Sequence, residues 1–107
     1  MSETRRRRIE ERIARIKDAL AKIGGLRPGT LTRQYKDPQA KSGPYWQVSY
    51  TRAMKSRTEY VRPERVADIR KQIAAYKRFK KLIEEWIDLS IEASKLTMQI
   101  DKNKGSG

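Results

Sequence analysis

Two residue types are missing altogether from this 107-residue chain: it has no cysteine and no histidine. Disulfides are therefore excluded, and so are Cys/His zinc sites and any Ser–His or Cys–His nucleophilic pair. Apolar residues are scarce at 36%. No run approaches the roughly 18 consecutive apolar residues that a membrane-spanning helix needs. The N-terminus is basic with no apolar stretch behind it, so no signal peptide is expected. Acidic residues are in deficit, with 13 Asp and Glu against 26 Lys and Arg, for a formal charge of +13.

That charge exceeds what solubility requires and repels itself in a folded chain, so a polyanionic partner is expected. It is also uneven. Residues 1–40 carry a net +6, residues 41–81 a net +9 and residues 82–107 a net −2. A partner that seeks positive charge should touch the first 81 residues.

The apolar residues that are present recur with clear periods. Ile9, Ile13, Ile16, Leu20 and Ile23 are spaced 4, 3, 4 and 3. This heptad seam predicts a helix over 2–23, started by Ser2 or Thr4 and stopped by Gly24-Gly25. Two heptads are too few for a free helix, so it needs a partner. Pro28-Gly29 predicts a turn, followed by a short strand over 31–35. Residues 36–44, rich in Pro, Asp, Ser and Gly, read as a loop. Residues 45–50 alternate, with Trp46, Val48 and Tyr50 on one side and Tyr45, Gln47 and Ser49 on the other. Thr51–Ser56 reads as a polar connection, and residues 57–61 as the returning strand. Pro63 and Glu64 suit a helix start, and no Gly or Pro interrupts the next 40 residues. The long helix over 63–101 bears two apolar stripes. One runs through Val66, Ile69, Ile73, Tyr76, Ile83 and Ile87. The other runs through Phe79, Leu82, Trp86, Leu89, Ala93, Leu96 and Ile100.

The expected fold is α+β and a single domain over 1–104, with a flexible tail over 105–107. An N-terminal helix leads to a β-hairpin or three-stranded antiparallel sheet. A long C-terminal helix packs on the first and forms a homodimer.

Catalysis has little to work with. Glu84 and Asp88 sit at i, i+4 in "EEWID", and such a pair holds a metal only with further ligands; it reads as a solvated acidic face. "IGGLRPGT" lacks the Lys-Ser/Thr end of a phosphate-binding loop. No enzymatic activity, metal or cofactor is expected.

Basic clusters are better supported. Arg70, Lys77 and Lys81 share a helical face, with Arg78 beside them, in a stretch free of acidic residues. Arg5–Arg8 point all round their helix and read equally well as a solvated end or as phosphate contacts. Arg52, Lys55, Arg57, Arg62 and Arg65 cluster on the hairpin and its exit, and Arg33 lies on the preceding strand. A β-ribbon fits the major groove of B-DNA, and Arg pairs with guanine. Tyr45 and Tyr60 are the expected exposed aromatics and suit stacking on unpaired bases. Trp46 and Tyr50 read either as core or as part of that stacking surface. Three functions follow: a duplex-DNA-binding protein, preferred; an RNA-binding protein that stacks bases; and a helical adaptor for an acidic protein. The expected location is cytoplasmic, nucleoid-associated if DNA is bound, with no membrane contact.

The order of "LRPGTLTRQY" (26–35), "GPYW" (43–46) and "TEYVRPE" (58–64) before a long helix resembles a family of small uncharacterised prokaryotic proteins, classed as a domain of unknown function. Its members occur in bacteria, archaea and their mobile elements. The resemblance spans about Ile9 to Leu89. Many relatives carry cysteines between the RQY and GPY pieces, whereas this interval reads "KDPQAKS", so no metal site transfers. The family brings no established activity. At fold level alone, the strand–turn–strand–helix order is similar to the arm-type DNA-binding modules of integrases.

Overall fold

A computed structural model describes residues 2–105. The elements are α1 (Ser2–Ala21), β1 (Thr30–Asp37), β2 (Ser42–Arg52), β3 (Lys55–Val61), a single 3₁₀ turn (Pro63–Arg65) and α2 (Val66–Gly105). They form two compact units: the residues up to Ile23 together with those from Phe79 onward, and Gly24–Arg78. α2 contributes to both.

In the first unit α1 packs antiparallel on the C-terminal part of α2. Arg5 pairs with Glu92 and Arg12 with Glu85, seven residues on along α1 and seven back along α2. The heptad seam supplies the contact surface, with Ile9 and Ile16 buried. Leu82, Leu89, Ala93, Leu96 and Ile100 are half-buried on α2. Lys17 Nζ lies 5.3 Å from the centre of the Trp86 ring. α1 ends at Ala21, two residues before the expected stop. Its last turn tightens as the Lys22 and Ile23 amides donate to Ala19 and Leu20, a common way to satisfy terminal carbonyls. Thr4 lies inside the helix rather than capping it.

The second unit is a three-stranded antiparallel sheet in the order β1-β2-β3, packed on the first turns of α2. Every element contributes to one core. Val48 (0% exposed), Val61 and Ile73 are buried, and Leu31, Trp46, Val66 and Ile69 pack around them. Leu31 stands opposite Val48, and Trp46 opposite Val61. Gly29 has φ +145°, and a Cβ there would meet Val48 Cγ2 at 2.7 Å, so the chain entering β1 passes too close for any larger residue.

Three boundaries differ from expectation. The loop over 36–44 shrinks to a four-residue turn, because β1 continues to Asp37 and β2 begins at Ser42. The Asp37 carboxylate accepts the Ala40 amide at 3.2 Å and closes that turn. Pro44 is tolerated in the central strand because β3 stops opposite Trp46, which leaves the Pro44 stretch paired on one side only. The expected connection over 51–56 also vanishes into strand, and only Ala53 and Met54 turn the chain. At the other end, α2 runs through Gly105, where a tail was expected; residues 106 and 107 lie outside the described residues.

The Ala53-Met54 turn has φ of 52° and 66°, both left-handed, as a two-residue type I′ hairpin requires. Neither residue favours that conformation, and Met54 is 98% exposed, so its side chain gains nothing in return. Replacing the pair with Asn-Gly (Ala53→Asn with Met54→Gly) should stabilise the protein by about 1–2 kcal/mol. A thermal melt followed by circular dichroism should move up by at least about 4 °C. An unchanged or lower midpoint would show that the turn is not strained.

Candidate nucleic-acid interface

Strand alternation divides the sheet into two chemically distinct faces. Leu31, Arg33 and Tyr35 of β1 share the helix-side face with Trp46, Val48 and Tyr50 of β2 and with Arg57, Glu59 and Val61 of β3. The opposite face is uncovered by any helix of this unit. It is built from Thr30, Thr32, Gln34 and Lys36, then Tyr45, Gln47, Ser49 and Thr51, then Ser56, Thr58 and Tyr60. No carboxylate occurs among these side chains, and Lys36, near the turn end of β1, is their one charge. Hydroxyls and amides tie them across strands: Ser49 to Thr58 at 3.2 Å and Thr51 to Ser56 at 3.3 Å, while the Gln34 amide donates to Thr32 at 3.3 Å.

Tyr45 and Tyr60 come together at one end of the open face. With Tyr35, Lys36 and Pro44 they line a shallow hollow, and Tyr60 is 65% exposed. Trp46 and Tyr50 belong to the helix side. The Arg70 guanidinium lies 5.2 Å from the Trp46 ring centre, and the Arg27 guanidinium 5.1 Å from that of Tyr50. Tyr50 also bonds the Glu59 carboxylate, which accepts Arg27 Nη2 at 3.1 Å. The Tyr50 hydroxyl and then Arg27 hold the Glu59 carboxyl below the usual carboxylate range, and the bond to Glu59 raises the Tyr50 phenol. Arg27 was not singled out in the sequence; only an apolar-poor loop before β1 surrounds it there.

The expected cationic residues separate into groups. Arg33 and Arg57 are exposed at the two edge strands, on the helix side, and Arg33 lies 5.8 Å from the Tyr35 ring centre. Arg52 and Lys55 face each other across the hairpin tip, and Arg62 is exposed just beyond β3. Arg65 is engaged by Asp68 at 3.3 Å. Arg70 and Lys77 line one hollow with Gly29, Thr30 and Leu31, beside the start of β1. Arg78 is exposed in the same unit, whereas Lys81 belongs to the helical unit. There the Glu85 carboxyl is held low, chiefly by its bond from Arg12. Arg5 and Arg6 of the arginine run pair with Glu92 and Glu10. Arg52, Lys55, Arg62, Lys77 and Arg78 form no ion pair among the described residues. Among the described residues, no cluster of His, Cys, Asp or Glu gathers with metal-binding geometry, and no helix is long and apolar enough to cross a membrane.

The architecture is thus a small α+β protein: an N-terminal helix, a three-stranded sheet and a long helix. The chain belongs to the family described as "Domain of unknown function (DUF6788)", whose family model matches residues 3–71. That span takes in α1, the whole sheet and the first residues of α2, and ends short of the expected Leu89. No curated protein and no solved structure matches the chain.

The Glu59 cluster makes stability depend on pH. A carboxyl held low in the folded state stabilises it above the ordinary carboxylate pKa, and that contribution fades as pH falls through the lowered value. Glu59→Gln should therefore lower stability to denaturant at pH 7, and the gap to the parent should close as pH falls below about 4. Equal stabilities at pH 7 would show that the cluster contributes nothing.

Proposed function

We propose that the chain is a small, non-enzymatic nucleic-acid-binding protein with duplex DNA as its preferred partner. One observation carries this reading. The sheet unit holds 13 Lys and Arg against four Asp and Glu, and its acidic side chains Glu59 and Asp68 are already engaged by Arg27 and Arg65. The excess therefore faces outward, where a phosphate backbone would neutralise it. Trp46 and Tyr50 are committed to the helix side, which leaves Tyr45 and Tyr60 as stacking groups. That favours a duplex over a single-strand platform, which is built on several open rings. The location consistent with this reading is the cytoplasm, at the nucleoid.

The test is fluorescence anisotropy with labelled duplex DNA, single-stranded DNA and hairpin RNA at about 50 and 200 mM salt, the range over which phosphate-driven affinity falls steeply. Duplex should bind tightest, with a steep salt slope. Arg57→Ala with Arg62→Ala should weaken duplex binding by more than about tenfold without lowering the melting midpoint, as the loss of two charge-assisted phosphate contacts implies. Unchanged affinity would remove the hairpin from the interface, and weak equal binding to all three probes would favour the adaptor reading.

A second feature favours self-association. Ile87, Ile91 and Met98 are 48%, 51% and 61% exposed, and at 100° per residue they fall within about 40° of each other on α2. This stripe lies opposite the residues that meet α1. We read it as the homodimer contact. Sedimentation velocity should give a dimer for the parent and a monomer for Ile87→Glu with Ile91→Glu; a parent that sediments as a monomer at tens of micromolar would refute it.

A further inference from the structure

We propose that the open face of the β1-β2-β3 sheet is the base-reading surface and lies in the major groove of duplex DNA. This rests on the DNA-binding reading above and adds to it the surface and the groove.

The chemistry of the face comes first. A sheet face meant to be covered by protein is ordinarily apolar, and one meant only for solvent carries charges. This face is neither apolar nor richly charged: hydroxyls and amides dominate it, and Lys36 is its one charge. Thr32, Gln47 and Tyr60 form one row across the three strands, and Ser49 and Thr58 stand in the next. These groups both donate and accept hydrogen bonds at fixed positions on rigid strands. They match what base edges present in the major groove: glutamine pairs with adenine N6 and N7, hydroxyls pair with any base edge, and a threonine methyl meets the thymine methyl. The bonds Ser49 and Thr58 make to each other leave further donor and acceptor capacity on both hydroxyls.

Size and charge agree with that occupant. Strands about 4.8 Å apart put the outer two roughly 10 Å from each other, within a groove about 12 Å wide. The two edge strands would then run along the groove walls, where the phosphates are. Lys36 stands on the open face near one end of β1, and Arg33 and Arg57 are exposed on the two edge strands, on their helix side. No carboxylate stands on the open face to repel the backbone; Glu59, the one acidic residue within β3, is on the helix side and held by Arg27 and Tyr50. Cations at the rim, Lys36 first, therefore position the protein, and the hydroxyls and amides of the face read the sequence, the usual division between phosphate and base contacts.

The experiment uses the full chain and a mixed-sequence 20-base-pair duplex, alongside the same duplex with glucosylated 5-hydroxymethylcytosine, which fills the major groove. Blocking the groove should weaken binding by about tenfold or more, and the minor-groove ligand distamycin should not compete. Motif enrichment from randomised duplexes should then be lost with Gln47→Ala plus Thr58→Ala, while affinity for mixed-sequence duplex stays within about threefold, since base contacts carry discrimination and phosphates carry bulk affinity. Tyr60→Ala, at an exposed position, gives the same readout should the double variant fold poorly. Equal binding to open and blocked duplexes, or an unchanged motif in the variants, overturns the proposal while leaving DNA binding intact. No duplex binding by the parent overturns both. Tighter binding to single-stranded RNA that depends on Tyr60 assigns the face to a different ligand and also overturns it.

Discussion

The sheet depends on one buried contact, that of Val48 in the central strand with Val61 and Ile73. Val48 is wholly out of water, and it is reached by β1 through Leu31 and by α2 through Ile73. Strand geometry then leaves no freedom. With Val48 inward, Trp46 and Tyr50 must also face the helix, and Tyr45, Gln47 and Ser49 must face away. A slip of one residue would bury Gln47 and Ser49 and expose the tryptophan, so the buried valine holds the open face in register. The composition of that outward face is thus set by a contact on the other side of the sheet.

The chain uses its few carboxylates to hold its own architecture. In the helical unit Glu85 and Glu92 lock the antiparallel register of α1 on α2 by pairing with Arg12 and Arg5. In the sheet unit Glu59 anchors Arg27 and Tyr50. Exposed ion pairs of this kind contribute little stability each, and their geometric value is greater. The cost of placing so many cations in one small protein is self-repulsion, which a polyanion relieves. The sheet unit, at a net +9, bears most of that burden; the helical unit, with 13 basic and nine acidic residues, is close to the mixed charge of an ordinary helix surface.

α2 illustrates how one helix serves two kinds of packing. Its first turns offer Val66, Ile69 and Ile73 to the sheet. Its later turns offer a heptad-spaced seam to α1 and, on the reverse, the exposed stripe through Ile87 and Met98. The two stripes visible in the sequence differ in fate because one meets α1 over most of its length, whereas the other leaves Ile87 exposed.

The sequence by itself determined what local periodicity and composition can carry. The 4-3 spacing of Ile9 to Ile23 specifies the helix and its seam, the alternation from Tyr45 to Tyr50 specifies which residues share a face, and the missing cysteine and histidine remove whole classes of chemistry. Only the tertiary structure decided the rest. Ala53 and Met54 carry no turn signal, yet they take left-handed conformations because the strands on either side pair up to Arg52 and Lys55. Arg70 reads as a free cation in the sequence, but folding brings Trp46 under it. The row of Thr32, Gln47 and Tyr60 joins residues from three strands, and nothing in any one strand announces it. Periodicity is a property of neighbours along the chain, whereas strand register and the pairs Arg5–Glu92, Arg12–Glu85 and Arg27–Glu59 join residues far apart in sequence and are settled only when the chain folds.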